Sequence, residues 1–331
     1  MTGGNLAYER ATNIGHAIAS VSGNQAAGYL AGGTTQVDLL LKDRVVDLDL
    51  LVDITHLPLA GIDHGAESIR VGALTKMEEL AADPVVRERL PFVREALLLG
   101  ASVQLRNMAT IGGNLLQRTR CRYFRDRTVP NCNKRQPGSG CTARDGFNRM
   151  HAILGVSEHC IALHASDPAV PLMALDATVN VIGPDGERSI ALTDFYREPG
   201  DTPNVENVLR HGDLITSIDI PLLPRDAGSH YLKVRDRTSY EFALVSAGVA
   251  VTIANGSIVD ARVGLGGVGT IPWRARAAED ALRGTPPTRE AFEAAAQAEL
   301  AGAATGQHNA FKVELAQRTL TRALCTVTGV E

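Results

Sequence analysis

Between Arg118 and Cys160 the apolar periodicity that runs through the rest of the chain stops. The stretch CRYFRDRTVPNCNKRQPGSGC holds Cys121, Cys132 and Cys141, and Cys160 follows, so the spacing is C-x10-C-x8-C-x18-C. A loop this long and this poor in apolar residues needs a reason to persist inside a compact protein. A bound inorganic group is such a reason. From Arg118 to Arg149 there are nine basic residues and two acidic ones. Zinc modules place two cysteines on one tight knuckle, because that fixes half of the tetrahedron locally. No two of these cysteines are that close, so the spacing is not that of a zinc ribbon. An iron–sulfur cubane is wider than one ion and can take its thiolates from a meandering loop. Either group would be anionic, and basic neighbours and glycine-exposed amides would stabilise it. Three readings therefore stand: an iron–sulfur cluster, a zinc site, or a solvated basic loop with incidental thiols. The fifth cysteine, Cys325, lies in an apolar helical stretch and reads as a small core residue.

The remaining bulk properties mainly exclude. At 331 residues the chain can bury a large core without disulfide staples. Its formal charge of −4 supplies no global drive toward nucleic acid or an anionic membrane, and 4% aromatic residues leave little for base stacking. No apolar run is long enough to span a bilayer. The first twenty residues lack a basic region followed by an apolar core, which points to the cytoplasm for the chain on its own.

Periodicity and punctuation outline a mixed α and β chain. A helix is expected over 12–28. YLAGGTTQVDLLLKD follows as a short strand, a turn at Gly32-Gly33 and a helix opened by Thr34 and Thr35. Strands are expected over 45–52 and 68–74, then helical stretches punctuated by Pro84 and Pro91. Beyond the cysteine region come a helix over 169–175, a hairpin of 177–182 with 187–192 around GPDGE, and a strand over 214–223. PLLPRDAGS reads as a linker. From 229 a second unit begins, with strands around an Asn255-Gly256 turn and helices over 275–283, 288–303 and 309–326.

Two Gly-Gly turns, AGGTT at 31–35 and TIGGN at 110–114, could each lay bare amides against phosphate oxygens. Two such turns suit a dinucleotide's pyrophosphate better than one. GLGGVG at 264–269 fits a dinucleotide fingerprint only superficially. That fingerprint requires a helix directly after it, whereas TIPW follows here, so it reads as a tight strand end. His151, His159 and His164 flank the cysteine region; one of them could ligate a metal, but four cysteines already suffice, and polar loop histidines read as solvated.

Taken in order, LAGGTTQVDLLLK, RNMATIGGNL, SDPAVPLMALDATV, LITSIDIP, YLKVRDRTSYEFALVSAGVAV and GLGGVGTIPWRA resemble the FAD-binding subunit of the xanthine dehydrogenase and aldehyde oxidoreductase molybdenum hydroxylases. The resemblance covers nearly the whole chain. It implies an α+β fold. A vanillyl-alcohol-oxidase-like FAD-binding domain would occupy 1–224 in two lobes, about 1–60 and 61–224. A smaller C-terminal α/β domain, a sheet with helices, would occupy 229–331. In most family members TIGGN runs within a short distance into the Ser-Asp segment. Here the cysteine-rich excess, 119–163, resembles the insertion that carries an extra [4Fe–4S] cluster in periplasmic-type aldehyde oxidoreductases and in 4-hydroxybenzoyl-CoA reductase.

The resemblance also implies residue roles. Ala31, Gly32, Gly33, Thr34, Thr35 and Gln36 would bind the FAD pyrophosphate, through backbone amides from Gly32 to Gln36. Thr110, Gly113 and Asn114 of the second turn would also contact FAD. Asp167 would accept hydrogen bonds from FAD hydroxyls or the ring edge, Ile215 would pack on the adenine or ring system, and Lys233 would lie near the isoalloxazine. Cys121, Cys132, Cys141 and Cys160 would hold the cluster. The implied complex has a molybdenum-cofactor large subunit, a [2Fe–2S] small subunit and an external electron acceptor, with no aldehyde site on this chain. Two alternatives remain at this level: the flavin subunit of a 4-hydroxybenzoyl-CoA-reductase-like complex, and a zinc-stabilised binding module. A partner's twin-arginine signal could still carry a folded complex to the periplasm.

Overall fold

A computed structural model describes residues 6–331. The first five residues, part of the stretch inspected for an export signal and of the 1–224 unit, lie outside the described residues. Three sheets organise the described residues. The first is parallel, in the order β1-β3-β2, with β1 (Ala7–Arg10), β2 (Ala27–Leu30) and β3 (Leu50–Asp53). Parallel strands need a crossover connection, and the helix Ile14–Ser22 carries the chain from β1 to β2 on the far side of β3, capped by Asn13 Oδ1, which accepts from the His16 amide at 2.8 Å. The helix expected over 12–28 is thus shorter. It stops at Gly23, and Ala27–Leu30 becomes β2, because pairing with β3 outweighs the local propensity of small residues. Likewise only Leu50–Asp53 of the strand expected from residue 45 is paired.

The second sheet runs β4-β5-β8-β6-β7 and is antiparallel throughout, with β4 (Ile62–His64), β5 (Ser68–Gly72), β6 (Thr178–Gly183), β7 (Gly186–Ala191) and β8 (Leu214–Pro221). Alternation in β6 sends Val179 and Val181 into the core. Helices Met77–Ala82, Pro84–Arg89, Pro91–Leu99 and Ala169–Ala174 contribute to the same core. Asp83 caps the second of these through the amides of Val85 and Val86, and Pro84 begins it where a missing N–H costs nothing.

The third sheet, β12-β11-β10-β9, comprises β9 (Gly228–Val234), β10 (Val245–Ala254), β11 (Ser257–Gly266) and β12 (Trp273–Arg274). Asn255 and Gly256 both have positive φ, 53° and 76°, as the tight β10–β11 hairpin requires. Helices Arg276–Leu282, Arg289–Leu300 and Phe311–Thr328 contribute to its core. The glycines of GLGGVG have a packing role. A Cβ on Gly264 would stand 2.4 Å from the Val170 carbonyl, so they let the helix Ala169–Ala174 press onto this sheet. No residue of that motif lines the large cavity described below.

The cysteine-rich segment is ordered by polar ties more than by apolar packing. It contains short helical turns at Arg122–Arg125 and Thr142–Asp145 and an isolated bridge between Cys132 and Cys141. Arg125 reaches Asp43 at 2.6 Å, and Lys134 reaches Glu206 at 2.9 Å. Asn148 Oδ1 accepts from the His308 amide, and Asn309 donates to the carbonyls of His151 and Ala152. Among the described residues no helix is long and apolar enough to cross a membrane.

Candidate flavin and cysteine sites

A cavity of about 700 Å³ is lined by elements from across residues 29–242. Ala31, Gly32, Gly33, Thr34, Thr35 and Gln36 form one wall, Thr110, Gly113 and Asn114 another, and Asp167 and Ile215 also line it. The two Gly-Gly turns meet: a Cβ on Gly32 would lie 2.1 Å from the Met108 carbonyl oxygen. Gly33 has φ 71°, a left-handed conformation that suits glycine. Together they bring peptide groups, bare of side chains, to the cavity wall.

The second turn is held from within. Thr110 Oγ1 accepts from the Gly113 amide at 3.2 Å, and Asn114 Oδ1 accepts from the Ser166 hydroxyl. Asp167 sits at the inner wall, where its Oδ1 accepts from the Tyr231 hydroxyl at 2.7 Å and its Oδ2 from Lys233 Nζ at 2.8 Å. Burial raises the Asp167 carboxyl above its ordinary range, and the Lys233 ammonium beside it pulls back. Lys233 itself is behind Asp167, outside the cavity lining, with its side chain 1% exposed and a second bond to the Leu99 carbonyl. Several lining residues went unmarked in the sequence: Arg118, Arg120, Arg237, Tyr240 and Phe242. The Arg120 guanidinium lies 4.9 Å from the centre of the Phe242 ring. The signal was present in RDRTSYEF, whose lack of apolar alternation marked a loop between two strands.

All four cysteines of the insertion line one small pocket, with Phe124, Lys134 and His159. Among the described residues no group of three or more His, Cys, Asp or Glu side chains converges closely enough to hold a single metal ion. The four thiols thus share a pocket wall without forming an assembled metal site. Burial pushes the Cys121 thiol up to about 12, with Cys132 and Cys160 adding to the effect. Burial raises Cys160 as well, against the pull of Lys134. The two sites share a wall. Leu39, which lines the cavity, packs in one apolar cluster with Phe124 and Cys132. Outside the pocket His151 Nε2 lies 3.2 Å from Cys121 Sγ.

Glu206 ties this insertion to the segment that precedes β8. Its carboxylate meets Arg118 at 2.6 Å and Lys134 at 2.9 Å. Burial works against that charge, but the two cations outweigh it and hold the carboxyl below its usual range. The stabilisation is thus fully present above the unfolded pKa and is lost as pH falls through the lower folded value. Glu206→Gln is expected to destabilise the protein by about 1–3 kcal/mol near neutral pH. The difference from wild type should shrink in denaturation measured below about pH 4.

The family described as the FAD binding domain in molybdopterin dehydrogenase matches residues 4–223, and the CO dehydrogenase flavoprotein C-terminal domain matches residues 230–327. The chain belongs to this molybdenum hydroxylase flavoprotein family. Within it, the chain is 46% identical over 320 residues to the aldehyde oxidoreductase FAD-binding subunit PaoB of Escherichia coli, covering 96% of each. It is 28% identical over 330 residues to the carbon monoxide dehydrogenase medium chain of Afipia carboxidovorans, covering 98% of this chain and 97% of that one. Among solved structures, carbon monoxide dehydrogenase of Hydrogenophaga pseudoflava superposes with TM-score 0.77 at 25% identity, covering 99% of each chain. As a family member the protein is an oxidoreductase FAD-binding subunit, and its fold is the FAD-binding domain plus C-terminal domain of that group.

Proposed function

We propose that this chain is the FAD and [4Fe–4S] electron-transfer subunit of a molybdenum-containing aldehyde oxidoreductase complex. The observation that carries the reading is the adjacency of the two sites: four cysteines around one pocket, separated from the large cavity by Leu39 and Phe124. Identity of 46% to a subunit named for aldehyde oxidoreductase supports the substrate class.

Bound together, FAD and the cluster supply one- and two-electron redox chemistry. The polypeptide supplies the rest. The amides of Gly32 to Gln36 bind the pyrophosphate, with Ala31 completing the turn. Thr110, Gly113 and Asn114 form the opposing grip. Asp167 accepts from flavin hydroxyls or the ring edge, and Ile215 packs on the adenine or ring. Lys233 keeps positive charge behind Asp167. Cys121, Cys132, Cys141 and Cys160 hold the cluster, and Arg118, Lys134 and the rest of the basic segment offset its charge. The FAD-binding unit spans 1–224 and the C-terminal domain 229–331. The partners are a molybdenum-cofactor large subunit, a [2Fe–2S] small subunit and an external electron acceptor.

Anaerobic purification of the chain alone decides the matter. The expected product is yellow-brown, with one flavin and about four irons per chain, and turns over no aldehyde. Cys132→Ser should strip the iron and leave the flavin absorbance. Colourless, iron-free protein would sink the reading, as would aldehyde turnover by the isolated chain.

A further inference from the structure

His151 is buried in the insertion, 5% exposed, with its ring tilted against Tyr123. Its Nε2 lies 3.2 Å from Cys121 Sγ, and its buried Nδ1 has no partner. A buried polar atom without a partner is unusual in a residue that serves only to fill space. A neutral imidazole carries one proton, and opposite a thiolate, which can only accept, Nε2 is the nitrogen that carries it. That proton points at the sulfur of a proposed cluster ligand.

A second oddity lies directly behind it. Lys312, on the helix Phe311–Thr328, is 0% exposed. Its Nζ donates to two carbonyl oxygens, of His151 at 3.1 Å and of Gly267 at 2.7 Å. A buried ammonium is costly unless negative charge lies near it. Burial, with Arg149 adding, drags it down to about 7. The His151 carbonyl receives the Lys312 amine, whose charged form an anionic cluster nearby would favour, while the His151 ring faces a thiol that would be anionic in a cluster. Asn309 also donates to the His151 carbonyl, at 3.3 Å. The residue is fixed from the C-terminal domain.

We propose that His151, anchored by Lys312, donates through Nε2 to the Cys121 thiolate and raises the reduction potential of the cluster that the cysteines hold. The proposal rests on the cluster reading given above. Reduction adds negative charge to the cluster, and a hydrogen bond to sulfur with a buried cation behind it favours the more negative state. His151 is a positioning residue: it acts through Cys121 and does not ligate iron.

The test is a redox titration of the complete complex, following the cluster by electron paramagnetic resonance and FAD by absorbance. His151→Leu removes the donor at similar volume. The cluster's reduction equilibrium should become roughly tenfold less favourable, a shift of about 59 mV to lower potential for one electron. The FAD potential should stay within error of wild type. His151→Gln, which keeps an N–H donor, should recover most of the shift. Lys312→Met, which keeps the stem and deletes the charge, should move the cluster potential in the same direction as His151→Leu.

An iron-loaded His151→Leu protein with the wild-type potential overturns the proposal and leaves the cluster reading intact. Equal shifts in the Leu and Gln variants overturn it too, because they would trace the effect to packing. If the Leu variant loses its iron, the other two decide: a Gln variant shifted down, or a Met variant unshifted, overturns the proposal. Wild-type protein without iron overturns the cluster reading itself, and this inference with it.

Discussion

Gly32→Ala should purify as a folded protein almost without flavin. Only one methyl is added, but it would stand 2.1 Å from the Met108 carbonyl oxygen and 2.8 Å from its carbon. Those are main-chain atoms of the segment leading into the second turn, so no side-chain rotation relieves the clash. One of the two turns must move outward. A displacement of even an ångström removes several amide–phosphate hydrogen bonds together, each worth about 1.5–3 kcal/mol when the acceptor is charged. We expect FAD affinity to fall by about a hundredfold or more, which is roughly 3 kcal/mol. Equilibrium dialysis and the ratio of flavin to protein absorbance measure it. Gly138→Ala is the control, because a Cβ there meets nothing within 4 Å, although its φ of 82° adds a little local strain. A flavin-replete Gly32→Ala protein would show that the two turns do not form the pyrophosphate grip.

The second large effect is expected at Lys233. In Lys233→Met the Asp167 carboxylate, with a side chain 8% exposed, keeps only the Tyr231 hydroxyl of its two side-chain donors. Breaking a buried ion pair on one side costs about 3–5 kcal/mol, chiefly through the uncompensated partner. The loss should also depend on pH. Without the ammonium, burial pushes the Asp167 carboxyl well above its unfolded value of about 3.9. The folded variant then holds a proton that the unfolded chain releases. Its stability deficit against wild type is smallest below the wild type's own raised Asp167 value, grows as pH rises from there to the variant's higher folded value, and levels off above it. Urea denaturation across that range reads out the deficit. Adding Asp167→Asn should return part of the stability and flatten the pH dependence. A loss under about 1 kcal/mol that is unchanged with pH would show that the pair contributes nothing beyond ordinary packing.

Residues 233 and 167 also show where sequence reading stops. Both stood out as cofactor residues, but their mutual contact did not. The pattern YLKV placed Lys233 on a strand; it could not reveal that β9 turns this side chain toward the end of the helix Pro91–Leu99. Local signals fared better. GPDGE gave the β6–β7 hairpin nearly to the residue, because the turn chemistry lies within the turn. Rejection of GLGGVG as a nucleotide fingerprint followed from Pro272, and the packing of Gly264 on Val170 supplies the reason for the glycines. The helix expected from residue 12 ran too far, since nothing local says that Ala27–Leu30 will find β3. The two glycine turns were visible as flexible, phosphate-compatible segments. Their contact at Gly32 and Met108 joins residues far apart in sequence and is set by the fold alone. The cysteine segment looked shapeless because its order comes from dispersed charges, such as Lys134 on Glu206, which leave no periodic trace.

The way the insertion is finished also sets a timetable for synthesis. Asn148, His151 and Ala152, just upstream of Cys160, receive hydrogen bonds from His308, Asn309 and Lys312, near the end of the chain. While a ribosome is still extending the polypeptide, this flank of the thiol pocket lacks its backing even though all four cysteines of the insertion have already been made. On the cluster reading, an inorganic group delivered early would meet an incompletely supported nest, and delivery would belong to a late stage, once translation has passed the start of the last helix.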